Sequence, residues 1–316
     1  MYSIVIIGVG GIGKRHLESV LRSNMELDIY VIDSNQETVN AVVASNGKRV
    51  VGGTTMDILP KEIDVTIIAT SSGVRRAVFE QLVVHSTVRN VIFEKVLFQR
   101  KEDYFEVARL LKEKGIHAWV NCARREMNSY ISLQKSIKKI ESFTFHLAGG
   151  DWGLGCNGIH ILDLIQFLSG SRACKIDNLN LLPMVADSKR AGYKEVYGTI
   201  LGNCGKCQGF SITCYRDSAL PMHIVLSGED FRYVIIEGEH KILLMRQDND
   251  WVVEEKEFPI AYVSQITQSV VENILTSGNC NLPEYDEAMQ LHLVYLEPLI
   301  KFFEEQGMEK GLCPIT

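Results

Sequence analysis

Six residues near the N-terminus, Gly8-Val9-Gly10-Gly11-Ile12-Gly13, constrain the fold more than anything else in the chain. They follow a β-branched run, Ile4-Val5-Ile6-Ile7, of the kind expected for a strand buried on both faces. A helical pattern opens near Ile12. In a strand–turn–helix unit, Gly8 permits the tight turn, Gly10 lets backbone approach a pyrophosphate, and Gly13 lets helix and strand pack closely. The helix N-terminus then offers unpaired N–H groups to the phosphates. Asp33 ends the next apolar run, 20 positions beyond Gly13. A carboxylate there accepts hydrogen bonds from an adenosine ribose. No Lys or Arg lies between Ser34 and Thr38 to neutralise a 2′-phosphate, so NAD is preferred to NADP.

Up to about residue 120, short apolar runs alternate with amphipathic stretches. The further runs are Ile29–Ile32, Val65–Ala69, Val91–Phe93 and His117–Val120. Helical patterns lie between them, at His16–Arg22, Gln36–Ala44, Val74–Val84 and Lys101–Lys114, the last stopped by Gly115. Alternation of this kind means a doubly wound parallel sheet, a Rossmann domain over residues 1–122. Residues 123–316 read differently. A helix (Ser129–Ile140) leads to a strand (Ser142–Leu147), a glycine-rich loop (Gly149–Gly155) and another helix. From about Val196 to Val253 successive strands turn at glycines, and helices at Val263–Leu275 and Tyr285–Glu305 close the chain. The expected class is α/β, with a C-terminal α+β domain on an open, largely antiparallel sheet. One face of that sheet has no evident helical cover, so a homodimer or homotetramer through it is expected.

Composition narrows the function. Hydrophobic residues at 46% and charged residues at 23% suit globular domains. With 33 Lys+Arg against 39 Asp+Glu, a net charge of −6 argues against nucleic acid or an anionic membrane as partner. No apolar run approaches the roughly 18 residues of a transmembrane helix, and the apolar start lacks a basic leader. The eight cysteines are therefore read as reduced thiols of a cytoplasmic protein. Cys204-Gly-Lys-Cys207 has the spacing of half a zinc site, but nothing in the sequence completes it, and no metal is expected.

With Glu94-Lys95 and Gly158-Ile159-His160 added, the sequence resembles the Gfo/Idh/MocA oxidoreductases, the glucose-fructose oxidoreductase and inositol dehydrogenase superfamily. The resemblance runs through Thr70-Ser71-Ser72, Arg124-Arg125, the Gly-x-His-x-x-Asp helix and Leu282-Pro283. It implies that Gly8, Gly10, Gly11, Ile12, Gly13, Asp33, Thr70, Ser71, Ser72, Glu94 and Lys95 surround the cofactor. It implies that Lys95 lies between nicotinamide and substrate, where an ammonium stabilises charge developing on the substrate oxygen. Glu94 would orient it or contact the cofactor. His160 would exchange the hydroxyl proton, with Asp163 three positions on to orient the ring or bind substrate. Arg124, Trp152 and Asn157 are the further substrate-binding candidates, with Asn121 and Arg125 beside them at the domain junction. An arginine there clamps an anionic group or forms a structural ion pair, and Trp152 stacks on a sugar ring or simply packs. His292, in the last helix, is read as structural.

Two departures from the family pattern stand out. Val96 replaces the proline of the usual Glu-Lys-Pro, and a cis peptide, common before that proline, is strongly disfavoured before valine. Cys156 stands where the dehydrogenases often carry Asp, four positions before the His. The expected activity is an NAD-dependent dehydrogenase acting on a sugar, polyol or sugar nucleotide, with surface-polysaccharide biosynthesis as a setting. A non-catalytic NAD-binding regulator, and redox-neutral sugar chemistry such as glycoside cleavage or elimination, are the alternatives.

Overall fold

The computed structural model describes residues 1–316. By packing the chain forms two compact units, one of residues 1–126, 261–289 and 316, the other of residues 127–260 and 290–315. Residues 261–289 thus pack with the N-terminal strands, although a linear division places them in the second half.

The first unit holds a six-stranded parallel sheet of β1 (Tyr2–Ile7), β2 (Leu27–Ile32), β3 (Val50–Gly53), β4 (Glu62–Ile68), β5 (Thr87–Phe93) and β6 (His117–Val120). The order is β3-β2-β1-β4-β5-β6, reversing beside β1, so the crevice at the strands' carboxyl ends opens there. Ile4–Ile7 are buried, as their unbroken β-branched run requires of a central strand. Helices α1 (Gly11–Val20), α2 (Gln36–Asn46), α3 (Ser72–His85) and α4 (Lys101–Lys114) connect the strands. Val50-Val51-Gly52-Gly53, missing from the expected strands, forms β3 by pairing with β2 in parallel.

In the second unit come α5 (Asn128–Ser136), β7 (Phe143–Gly150), α6 (Leu154–Ser169) and β8 (Cys174–Leu181). A short ladder, β9 (Ala186–Asp187) with β10 (Lys194–Glu195), precedes β11 (Gly198–Cys204), β12 (Cys207–Tyr215), β13 (His223–Ser227), β14 (Phe231–Ile236), β15 (Lys241–Arg246) and β16 (Glu254–Glu257). The eight-stranded sheet runs β16-β15-β14-β13-β7-β12-β11-β8, antiparallel except where β7 pairs with β12. Ile212, Leu147, Ile224 and Ile235 share one buried face, on which α6 packs. The opposite face carries Val225, Val234 and Leu243 in register. Helix α7 (Val263–Ser277) packs on α1 in the first unit. Helix α8 (Tyr285–Glu305) closes the chain. No helix is long and apolar enough to cross a membrane.

Two expectations are corrected. The Lys95–Val96 peptide is cis despite the valine. Cys174 and Cys204 form a disulfide, so not all eight cysteines are reduced thiols; the two lie opposite one another on β8 and β11. Cys204–Cys207 spans the turn joining β11 to β12.

Candidate active site

The glycine turn has the shape its spacing implies. Gly8 has φ +88°, a conformation that suits glycine, and lies against the backbone of Thr70. Gly13 packs on the Gly8 carbonyl. At Gly10 and Gly11 a Cβ would meet nothing within 4 Å, so this side of the turn is open. No side chain caps α1, and its first N–H groups face that opening as an anion site. Asp33 Oδ2 accepts from Val9 N at 2.9 Å and Oδ1 from Asn35 N at 3.0 Å, which ties the carboxylate to the turn.

A cavity of about 560 Å³ adjoins, lined among others by Gly8, Asp33, Met56, Thr70, Val74 and Val78. Its mixed apolar and hydroxyl lining suits a nucleoside, and the volume falls in the range of small-molecule sites. Thr70 Oγ1 is buried there with no hydrogen-bond partner. An open anion site, an anchored carboxylate and an orphaned hydroxyl together fit a dinucleotide. Ser71 stands at the N-cap position of α3 in an extended conformation with no side-chain cap hydrogen bond, and Ser72 N donates to Thr316 Oγ1 at 2.9 Å.

Glu94 and Lys95 follow β5 at the carboxyl edge of the sheet. Glu94 Oε1 accepts from Asn121 Nδ2 and meets His16 Nε2 at 2.9 Å. Burial alone would raise the Glu94 carboxyl. The His16 hydrogen bond and charge, Asn121 and the Lys95 ammonium reverse that and hold it below the ordinary carboxylate value. Arg75, on α3, is buried and donates to Thr70 O, Val96 O and Leu97 O at 2.8 Å for the last, so one guanidinium joins the loops after β4 and β5. Arg125 pairs with Glu287 at 2.7 Å with both side chains largely buried. Arg124 is half-buried in the same 3-10 turn.

In the second unit α6 is buried nearly all round. Its less buried positions are Cys156, Asn157, His160 and Phe167. His160 falls four positions after Cys156 and three after Asn157, which puts both on its face. Asp163 is buried, as are Ile161, Ile165 and Leu168. The loop before α6 is tied down: Trp152 Nε1 donates to Thr213 O at 2.9 Å, and Asn157 Nδ2 donates to Trp152 O at 2.8 Å. The indole N–H therefore anchors the loop to β12. The glycine of Gly-Ile-His has a packing cause, since a Cβ at Gly158 would lie 2.5 Å from Tyr295 Oη, whose single proton is shared between the Leu154 and Gly155 carbonyls.

Sequence reasoning missed several of these groups. Glu195, from β10, accepts from the N–H groups of Gly155 and of Cys156 (3.4 Å) and so supplies the carboxylate at the start of α6. Close by, burial together with the charge of Asp151 and a hydrogen bond to it pushes the Tyr197 phenol up to about 12. His16, Thr267 and Arg75 carried one available signal: each is a polar residue in the core phase of a helix.

The fold, the turn and the crevice define a dinucleotide-binding oxidoreductase domain. Residues 2–122 match the Gfo/Idh/MocA family, an oxidoreductase family with an NAD-binding Rossmann fold, and the domain they form belongs to it. No curated protein matches the chain by sequence. Solved structures share the fold of nearly the whole chain. UDP-N-acetylglucosamine 3-dehydrogenase from Acidithiobacillus ferrooxidans is 15% identical with a TM-score of 0.75, over 93% of this chain and 95% of that one. A 3-ketoreductase from Actinomadura kijaniata, in complex with TDP-benzene and NADP, is 12% identical with a TM-score of 0.73, over 93% and 96%. The super-repressor mutant of Gal80p from Saccharomyces cerevisiae is 13% identical with a TM-score of 0.73, over 98% and 96%.

Proposed function

We propose that the protein is an NAD-dependent dehydrogenase acting on a hydroxyl or keto carbon of a sugar, polyol or sugar nucleotide. The observation that carries this reading is Lys95 at the carboxyl edge of β5, in the same crevice edge as a complete dinucleotide turn. Gly8, Gly10, Gly11, Ile12 and Gly13 would hold the pyrophosphate, Asp33 the ribose hydroxyls, and Thr70, Ser71 and Ser72 the next stretch of cofactor. Bound NAD supplies a hydride acceptor or, reduced, a donor. Lys95 donates a hydrogen bond to the substrate oxygen and stabilises its negative charge. His160 takes the hydroxyl proton during oxidation and returns it during reduction, with Asp163 in support. Arg124, Trp152 and Asn157 are the proposed substrate contacts, and the UDP-N-acetylglucosamine 3-dehydrogenase and the 3-ketoreductase bound to TDP-benzene favour a nucleotide-linked substrate.

Absorbance at 340 nm, followed with NAD and with NADP against a panel of polyols and sugar nucleotides, tests this. Turnover is expected with NAD in preference to NADP, because Asp33 repels a 2′-phosphate and no cation stands near it in sequence. Tight nucleotide binding with no turnover on any substrate would favour the second reading, an NAD-binding regulator. Cys156 in the place of a family carboxylate and the Gal80p neighbour motivate that alternative.

The proposal includes a homodimer in which a second copy covers the Val225–Val234–Leu243 face. Val234→Asp is expected to give a folded monomer by light scattering, since a charge there must be desolvated in the interface. A dimer of unchanged affinity sinks that arrangement.

A further inference from the structure

Four polar side chains form a hydrogen-bonded chain beside the crevice. His16 on α1, Glu94 after β5, Asn121 after β6 and Thr267 on α7 are 1%, 5%, 6% and 4% exposed. His16 Nε2 meets Glu94 Oε1 at 2.9 Å, and His16 Nδ1 meets Thr267 Oγ1 at 2.8 Å. The Thr267 hydroxyl has one proton, and Val263 O at 3.1 Å is an acceptor for it besides His16 Nδ1. Given to Val263, that proton leaves the Thr267 oxygen as an acceptor towards the ring, with a proton on Nδ1. Glu94 is an acceptor for a proton on Nε2. The site thus has an acceptor for each ring nitrogen, the partners an imidazolium requires.

This charge decides what Glu94 does to its neighbour. A carboxylate next to Lys95 in sequence, if uncompensated, is the natural counter-ion of that ammonium and would draw it away from a substrate. We propose that His16 is a positioning residue for Lys95: as a buried imidazolium it neutralises and fixes Glu94, so that Glu94 is not drawn onto the lysine. The ring faces Glu94 from β5 and Thr267 from α7, and Asn121 holds the same Glu94 oxygen from β6. Because His16 sits in the second turn of the helix whose N-terminus forms the phosphate site, the same helix carries the cofactor turn and the charge that sets Lys95. The inference rests on the reading of Lys95 as the group that meets the substrate oxygen.

The test needs no substrate. Competitive acetylation with acetic anhydride across pH, read by mass spectrometry at Lys95, reports the ionisation of its ammonium. His16→Gln keeps a donor for Glu94 and removes the charge. It is expected to move the Lys95 midpoint upward by about one unit or more, which is about tenfold less acetylation at fixed pH, with NAD still bound. Adding Glu94→Gln removes the uncompensated charge and is expected to return the midpoint towards the wild-type value, which a purely structural role would not do. A folded, NAD-binding His16→Gln protein with an unmoved Lys95 profile overturns the proposal. If that variant does not fold, nitrogen-15 shifts of the His16 ring in the wild-type protein decide: two protonated nitrogens near neutral pH support it, and a neutral tautomer overturns it. None of these readouts requires turnover, so a failed substrate panel and a failed labelling experiment are separate results.

Discussion

Lys95→Met is expected to lower kcat by about a hundred- to a thousandfold while NAD remains bound. The substitution keeps the unbranched stem and removes only the donor. One preorganised donor aimed at a developing oxyanion contributes about that factor to the rate. Binding survives because the anion site at α1, the Asp33 carboxylate and the cavity beside Thr70 are built from other residues. The split between kcat and nucleotide affinity is the informative quantity. A lysine that merely sits on the surface, or one that only grips the cofactor, gives a different pattern: no change in the first case, a weakened Kd in proportion to lost turnover in the second. Titration calorimetry with NAD and stopped-flow absorbance on the same preparation separate the three. Turnover within threefold of wild type would remove Lys95 from the chemistry and leave charge stabilisation at the substrate oxygen to another group.

The part of this site that lies along one strand–turn–helix unit was legible in the sequence, because there spacing alone sets geometry. Gly8, Gly10 and Gly13 had to fall at those intervals for the turn to close, and Asp33 had to end the next strand. The partners of Glu94 were not legible. His16 is 78 positions away and Asn121 27, and only the packing of α1 and β6 around β5 brings them to one oxygen. The same holds for Glu195, which reaches the start of α6 from 40 positions downstream. β3 was missed because two valines followed by two glycines carry little strand signal; its identity comes from pairing with β2.

Arg75 is the instructive middle case. Beside Arg76 it looks like half of a solvated pair, and Arg76 does lie nearer the surface with Glu80 and Asp103. Yet Arg75, Phe79 and Leu82 fall at i, i+4 and i+7, the buried stripe of α3. A charge in that phase must find acceptors inside the domain, and it finds the carbonyls of the two loops flanking the crevice. Phase was therefore a usable signal; the identity of the acceptors was not, because carbonyls leave no mark in a sequence.

Gly13→Ala is the substitution that tests the cofactor turn independently of any chemistry. A Cβ at Gly13 would stand 1.8 Å from the Gly8 carbonyl oxygen and 2.9 Å from its carbon. Both are backbone atoms of the turn, so neither can swing aside as a side-chain tip could. Either α1 moves off β1 or the Gly8 peptide rotates, and each displaces the N–H groups that meet the phosphates. Overpacking of a close contact costs about 1–3 kcal/mol and occasionally more, and an atom overlap this deep belongs at the upper end. About 3 kcal/mol lost from binding is a Kd weakened by about a hundredfold. Gly11→Ala supplies the control: the same methyl, two positions earlier, meets nothing within 4 Å and replaces a poor helix former by a good one. Thermal melting is expected to fall for Gly13→Ala and to hold or rise for Gly11→Ala. A Gly13→Ala protein with wild-type melting and wild-type NAD affinity would mean that α1 and β1 do not pack in this way, and the dinucleotide site would have to be sought elsewhere.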